Sequence, residues 1–396
     1  MERIVGTTVR GLRAPIIRDG DNMTELVSKV VLDFLKSEKI EPQDRDIVAM
    51  TESIVARAQG NYASVDDIAI DVKAKTGGET VGVIFPILSR NRFATVLKGI
   101  ARGVDKVVLM LSYPADEVGN HLVYLDQLDE SGVNPWVDVL TEEEFRSTFS
   151  DIKHTFTGVD YINYYRSIVE AEDCTCEIIF ANNPKTILDY TKTIINCDIH
   201  TRQRTKRILE KAGANKVLSL DEILNDPSEE HGYNEAYGLL GSNKSTEEEV
   251  KLFPRDCKTL VDDIQAHLLE KTGKKLEVMV YGDGAFKDPV GFIWELADPV
   301  VSPGYTDGLE GTPNEVKIKY LADNIFRDLS GNELKAAIAN HIVHKDDDLK
   351  DSMDAQGTTP RRLTDLIGSL ADLTSGSGDK GTPVIYIQGY FDNFSK

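Results

Sequence analysis

The most suggestive local pattern in the chain is an aspartate between two glycines, Gly282-Asp283-Gly284. It directly follows the apolar run from Leu276 to Tyr281, which predicts a buried strand. Ligands usually bind at the end of such a strand, and carboxylate oxygens are ligands that Mg²⁺ and Mn²⁺ prefer. Asp283 is therefore a candidate metal ligand. Gly-Asp-Gly is also common in ordinary tight turns, and the local sequence by itself favours that alternative.

A glycine-rich segment near the end of the chain offers a different chemistry, because it combines flexible backbone amides with one carboxylate and one ammonium group. It consists of Gly376, Ser377, Gly378, Asp379, Lys380 and Gly381. Such a loop could wrap around phosphates, although it lacks the residue order of a Walker motif. A mobile connector is the alternative, and the loop taken alone favours it.

A third candidate is a pair of arginines in the segment Ser89-Arg90-Asn91-Arg92. A guanidinium group is suited to bidentate binding of a carboxylate or a phosphate. Arg90 and Arg92 are therefore predicted to bind an acidic substrate. The alternative is that both arginines pair with surface aspartates and glutamates.

The composition limits the classes of function. The 396 residues include 66 acidic and 45 basic side chains, which gives a formal net charge of −21. This balance argues against nucleic-acid binding, which needs a broad basic face, but it does not exclude a phosphate ligand. The sequence shows no signal peptide, no apolar run of roughly 20 residues and only four cysteines. We therefore expect a cytoplasmic protein with reduced thiols.

Short apolar runs alternate with amphipathic helices, which predicts a mixed α/β fold. Asn22, followed three residues later by Glu25, predicts the start of a helix. Residues 106–111 predict a strand and residues 202–211 a helix that leads to another strand. The polar and acidic stretch 221–249 predicts a loop or a domain boundary.

Five segments carry motif-like residues in a fixed order. Residues 11–23 read Gly-Leu-Arg-Ala-Pro-Ile-Ile-Arg-Asp-Gly-Asp-Asn-Met, and residues 44–60 place Asp-Arg-Asp before a strand-like run and Glu-Ser-Ile-Val-Ala-Arg-Ala-Gln-Gly after it. Residues 237–243 read Tyr-Gly-Leu-Leu-Gly-Ser-Asn, Asp283 follows, and residues 371–389 hold the glycine-rich loop, Thr-Pro and a last strand. In this order the segments resemble the coenzyme F-420 γ-glutamyl ligase family, over somewhat under half of the chain.

The resemblance implies a ligase-type core and a homodimeric enzyme that depends on GTP (or ATP) and on Mg²⁺ or Mn²⁺. Such an enzyme joins L-glutamate to a small acidic acceptor, of the deazaflavin or pterin kind, through an acyl-phosphate. The implied nucleotide contacts are Pro15, Ile16, Ile17, Glu52, Arg57, Asn243 and the glycine-rich loop. Asp283 would hold the metal, and Arg57 and Asp283 would be the catalytic residues.

The chain also departs from the family pattern. Leu240 stands where the family has a metal-binding aspartate, Arg57 replaces a lysine, and Gly284 replaces a threonine. We predict three parts: residues 1–61 and 232–396 as the two halves of the ligase-like core, and residues 62–231 as an inserted α/β region. Because an aspartate is missing, a non-catalytic nucleotide- or metabolite-binding protein on the same scaffold is the alternative function.

Overall fold

The structure is a computed structural model that describes residues 4–150, 152–154, 156–283, 298–358, 361–375 and 378–395. Gly284, Gly376 and Ser377, which the sequence analysis singled out, lie outside these described residues. In the described ranges, no helix is long and apolar enough to cross a membrane.

The strands are β1 (Thr8–Leu12), β2 (Ile47–Thr51), β3 (Tyr62–Ser64), β4 (Thr80–Ile84), β5 (Lys106–Leu111), β6 (Leu140–Thr141), β7 (Thr175–Phe180), β8 (Thr193–Asn196), β9 (Lys216–Ser219), β10 (Asn243–Thr246), β11 (Glu249–Lys251), β12 (Glu277–Tyr281), β13 (Gly304–Tyr305) and β14 (Val384–Gln388). The α-helices are α1 (Met23–Ser37), α2 (Glu52–Ala58), α3 (Val65–Thr76), α4 (Ala94–Arg102), α5 (Leu125–Ser131), α6 (Glu142–Thr148), α7 (Tyr161–Glu170), α8 (Arg202–Lys211), α9 (Cys257–Thr272), α10 (Ile318–Tyr320), α11 (Gly331–Val343) and α12 (Leu363–Thr374).

The first sheet joins the two ends of the chain in the order β1-β14-β2-β12-β13. Strands β2 and β12 run parallel, and the other pairs are antiparallel. Alternate residues of the central strands point to opposite faces, as the two-residue period of a strand requires. One face packs against α1 and α9, and the other packs against α12. This sheet holds the N- and C-terminal segments of the predicted ligase-like core together.

Helix α1 shows how the local sequence sets one of these elements. Its start is the predicted one, since the Asn22 side chain accepts a hydrogen bond from the Glu25 amide at 3.2 Å. Val27, Val31 and Leu35 lie on one helical face and are buried against the sheet. The cap and the apolar stripe therefore agree on where the helix begins and which face it buries.

The second sheet has six strands in the order β6-β7-β5-β4-β8-β9. All pairs are parallel except that of the edge strand β6 with β7. The chain starts in the middle at β4 and winds outward in both directions, which makes this a doubly wound sheet. Helices α3, α4 and α7 cover one face, and α8 covers the other. The mixed α/β class predicted from the sequence is confirmed.

A small antiparallel sheet, β10-β11-β3, lies between the two larger units. It pairs residues 62–64, at the start of the predicted inserted region, with a hairpin from the C-terminal part of the chain. The prediction of a loop over residues 221–249 is therefore wrong at its end, because residues 243–246 and the strand from Glu249 form this hairpin. Polar residues are compatible with these strands because most of β10 faces solvent.

Candidate functional site

The candidate site lies where the parallel strands β2 and β12 end. Thr51 and Tyr281 are register partners, so the segments that follow them emerge side by side at one edge of the sheet. A cavity of about 430 Å³ opens there. It is lined by Thr51, Glu52, Ser53 and Arg57 after β2, by Tyr281, Gly282 and Asp283 after β12, by Tyr62, Asn243, Lys244, Ser245 and Lys251 of the small sheet, by Arg92, and by Asp372 and Ser375 of the C-terminal helix region.

The cavity brings together most of the residues that the sequence singled out as a site. Glu52, Arg57, Arg92, Asn243 and Asp283 all line it, although they come from segments far apart in the chain. Arg92 lies on the turn between β4 and α4, within residues 62–231 that the sequence predicts to be inserted, so this part of the chain contributes directly to the cavity.

Other predicted site residues lie beside the cavity. Pro15 and Ile16 are exposed, and Ile17 is buried with its carbonyl oxygen accepting a 2.6 Å hydrogen bond from Arg57 Nε. Arg90 is exposed and does not line the cavity; its charge instead acts on His154 and Tyr161. The two arginines are therefore close in sequence but face different surroundings.

The described part of the glycine-rich loop is exposed. It comprises Gly378, Asp379, Lys380 and Gly381. The Gly381 carbonyl accepts a hydrogen bond from the Ala14 amide at 3.2 Å, which ties the loop to the N-terminal segment. Ser375, just before the loop, lines the cavity. Ser375 precedes the loop in sequence, and contact of the loop with phosphates stays a prediction.

Arg92 bridges two aspartates at the inner end of the cavity. Its Nη1 contacts Asp298 Oδ1 at 2.5 Å, and its Nη2 forms an ion pair with Asp283 Oδ2. The second oxygen of Asp298 accepts a 2.7 Å hydrogen bond from the Asp283 amide. Burial by itself lowers the pKa of Arg92, but the charges of Asp298 and Asp283 outweigh it and hold that pKa above its ordinary value. Arg92 is therefore a permanent cation.

A second buried ion pair forms one wall. Lys251 Nζ lies 3.3 Å from Glu52 Oε1 and donates a 2.7 Å hydrogen bond to Ser53 Oγ. Both charged side chains are about nine-tenths buried. Burial raises the pKa of Glu52; Lys251 and Arg92 lower it and Asp298 raises it, with burial dominant. The charge of Lys251 thus offsets part of the effect of burial on the pKa of Glu52.

The donor set limits how a metal could bind. Among the described residues, no group of three or more His, Cys, Asp or Glu side chains is placed to hold a metal ion. Leu240, at 1% exposure, packs beside Arg92 and Phe93 and offers no ligand. Asp283 does reach the cavity, and Mg²⁺ commonly binds one or two carboxylates together with substrate phosphates. The residues therefore fit a metal that arrives with a triphosphate.

Sequence reasoning missed four charged residues of this site, Lys244, Lys251, Asp298 and Asp372. Lys251 lies on β11, and the only local sign of this strand is the apolar-polar alternation around Val250. The segment before β11 was predicted to be a loop. Asp298 meets Arg92 across 206 residues of sequence. Such a partnership depends on the tertiary fold and leaves no local pattern.

Comparison with known proteins indicates the same family as the order of the motifs. A family profile described as F420-0:Gamma-glutamyl ligase matches residues 11–389. The coenzyme F420:L-glutamate ligases of Methanosarcina mazei and Methanosarcina acetivorans are 33% and 34% identical to the chain over 85 residues, which is 20% of this chain and 30% of each relative. The chain thus spans about a third of the length of these curated relatives, whereas the family profile covers nearly all of the chain. The chain belongs to the F420-0:gamma-glutamyl ligase family.

Proposed function

We propose that this protein is a nucleotide-dependent ligase that joins the amine of L-glutamate to a carboxylate of a small acidic acceptor. Membership of the F420-0:gamma-glutamyl ligase family supports the reaction class. The observation that carries the proposal is the cavity itself, where the cations Arg57, Arg92, Lys244 and Lys251 lie with the carboxylates of Glu52, Asp283 and Asp372. This combination suits a substrate that is a polyanion and brings its own metal.

The chemistry explains why such a cavity is needed. A carboxylate does not react with an amine in water until it is activated, and phosphorylation to an acyl-phosphate supplies that activation. Phosphoryl transfer is catalysed mainly by positioning and by stabilising negative charge. We assign this role to the chain's own cations. Arg57 is fixed through Nε by the Ile17 carbonyl, and Lys251 is fixed by Ser53 and Glu52, so both charges are held in place before the ligand arrives.

Asp283 is the residue that would hold Mg²⁺ or Mn²⁺ on the triphosphate, and the ion would neutralise part of the phosphate charge. Asn243, at the start of β10, lines the same cavity, and we assign it a contact with the nucleotide. We also retain Pro15 to Ile17 and the loop from Gly376 to Gly381 as nucleotide contacts. We further propose a homodimer in the cytoplasm, with GTP or ATP as the co-substrate.

The acceptor is assigned by its chemistry. The inserted region places a guanidinium in the cavity and a second arginine, Arg90, on the neighbouring surface. Both suit an acceptor with carboxylates, of which F420-0, other deazaflavins and pterins with acidic side chains are examples. We therefore assign binding of the acceptor carboxylates to Arg92 and Arg90 of the predicted inserted region.

A second function is favoured by two specific observations. Leu240 supplies no metal ligand, and Asp283 is engaged by Arg92. A protein that binds a nucleotide or a metabolite without turnover would tolerate both features. It would bind the nucleotide but form no glutamyl product.

Thermal-shift titration tests the first requirement of the ligase proposal. GTP and ATP are each titrated with and without Mg²⁺ or Mn²⁺. A ligand at about 100 times its Kd stabilises the folded state by about 2.7 kcal/mol, which is readily detected. A metal-dependent shift with one nucleotide supports the proposal. The absence of any shift contradicts both nucleotide-binding functions, and a shift without glutamyl transfer favours the non-catalytic one.

A further inference from the structure

We propose that Arg92 and Asp283 are exchange partners: they pair with each other, and when metal and oxyanion bind together, Asp283 turns to the metal and Arg92 turns to the oxyanion. This inference rests on the proposed function, because it specifies how the same cavity takes up its charged ligand. It also gives the inserted region a defined task, which is to deliver the guanidinium.

The inserted region holds the Arg92 backbone firmly. The Arg92 amide donates to Ser89 Oγ at 3.1 Å, and the Ser89 amide donates to the Tyr165 hydroxyl at 2.9 Å. The carbonyl of Asn91 accepts a 2.6 Å hydrogen bond from the Lys244 amide of the small sheet. Anchors on both sides therefore fix where the Arg92 side chain enters the cavity.

The two aspartates that contact Arg92 have different surroundings. The Asp298 side chain is 2% exposed, and both of its oxygens are engaged, one by Arg92 Nη1 and one by the Asp283 amide. The Asp283 side chain is 30% exposed and lines the cavity. One half of the guanidinium is thus anchored in the interior, and the other half faces the place where a ligand would enter.

In the exchange, each charged group keeps a partner of opposite charge. A planar guanidinium binds a phosphate or carboxylate oxyanion as well as it binds the Asp283 carboxylate. A divalent metal can replace the guanidinium as the cation on Asp283. Either ligand alone should bind more weakly than the two together. A lone metal must compete with Arg92 for Asp283, and a lone oxyanion must compete with Asp283 for Arg92. Metal and oxyanion binding should therefore be cooperative.

The Arg92→Ala variant of the full chain tests the exchange, because its two expected effects have opposite signs. Affinity for Mn²⁺ alone, measured by electron paramagnetic resonance, should rise by about tenfold because Arg92 no longer competes with the metal for Asp283, and this equals about 1.4 kcal/mol. If the oxyanion is a nucleotide phosphate, affinity for the Mn²⁺ complex of a non-hydrolysable GTP or ATP analogue should fall at least tenfold; if it is the acceptor carboxylate, the KM for the acceptor should rise instead. Arg204→Ala, which removes an exposed arginine of α8, is the matched control and should change neither affinity.

A second variant guards against a folding defect. Arg92→Lys keeps the charge but loses the planar fork, so it should fold and show weaker cooperativity between Mn²⁺ and the analogue. The source of the oxyanion follows from a third probe. If Arg92→Ala weakens binding of the triphosphate analogue but not of the diphosphate, the oxyanion is the γ-phosphate. If nucleotide affinity is unchanged and the KM for F420-0 rises, the oxyanion is the acceptor carboxylate.

The outcomes separate this inference from the proposed function. If the wild-type protein binds metal–nucleotide but Arg92→Ala leaves Mn²⁺ affinity unchanged or lowers it, the exchange is refuted and the ligase proposal stands. If the wild-type protein binds no nucleotide under any condition, the ligase proposal fails. A gain in Mn²⁺ affinity would then still support the pairing of Arg92 with Asp283 as the barrier to metal binding.

Discussion

Removal of the buried ammonium group of Lys251 gives the sharpest test of the electrostatics of the cavity wall. In Lys251→Met, Glu52 would stay nine-tenths buried without its cation, since the two side chains are 11% and 8% exposed. Removing one partner of such a buried pair typically destabilises a protein by about 3–5 kcal/mol. We expect a loss of this order in the free energy of unfolding at pH 7. Lys29→Met, in a pair whose side chains are 73% and 66% exposed, should cost less than about 1 kcal/mol.

The effect of pH on this loss has a defined sign. Burial raises the pKa of Glu52 in the folded protein, so protonation favours folding. The stabilisation from protonated Glu52 is fully present below the pKa that Glu52 has in the unfolded chain. It is lost as the pH rises through the pKa of Glu52 in the folded protein. Lys251 counteracts burial, so Lys251→Met moves the folded pKa of Glu52 further upward. The cost of the variant should therefore be largest at neutral pH and shrink as the solution is acidified.

Thermal and urea unfolding at pH 7 and pH 5 measure both effects. The double variant Glu52→Gln, Lys251→Met should recover much of the lost stability at pH 7, because no buried charge remains. A pH-independent loss in Lys251→Met, or no recovery in the double variant, would refute the assignment of the cost to an unpaired Glu52. The defect would then arise from lost packing of the lysine stem.

Three further predictions concern the cavity and the inserted region. Asp283→Asn should weaken metal-dependent nucleotide binding at least tenfold in calorimetry with an unchanged circular dichroism spectrum; equal affinity would remove Asp283 from the site. Arg57→Ala should weaken nucleotide binding in the presence and absence of metal, because its charge is held in place by Ile17; an effect on melting temperature alone would make Arg57 structural. Gly99→Ala should destabilise the protein by about 1–3 kcal/mol in urea unfolding, since the added methyl would lie 2.6 Å from Ile68 atoms between α3 and α4. A stabilised Gly99→Ala protein would show that helix propensity outweighs this contact.

Much of the fold followed from short-range patterns. The strand at residues 106–111 and the helix at residues 202–211 have the predicted bounds, and α1 begins after Asn22 as expected. In each case the period of the apolar residues agrees with a local cap or turn, so local and tertiary preferences coincide. The loop prediction for residues 221–249 was wrong at its end because β10 is defined by its hydrogen bonds to β11 and not by its hydrophobicity.

The site could be predicted only in part. Glu52 and Asp283 follow strands β2 and β12, and the order of family-like segments was enough to place them together. The sequence could not show that Arg92 faces Asp298 while Arg90 points elsewhere, because two residues on one turn project in different directions. Lys251 was missed for another reason: its partner Glu52 is 199 residues away, so the pair leaves no local pattern.

The most direct test of the central claim is glutamyl transfer itself, followed by mass spectrometry. The protein is incubated with glutamate, GTP or ATP, and Mg²⁺ or Mn²⁺, together with F420-0, related acidic deazaflavins and acidic pterins. The account predicts an acceptor whose mass increases by one or more glutamyl residues, only when nucleotide and metal are both present. An unchanged mass for every acceptor, from protein that binds metal–nucleotide, would contradict the ligase function and identify a nucleotide-binding protein on this scaffold.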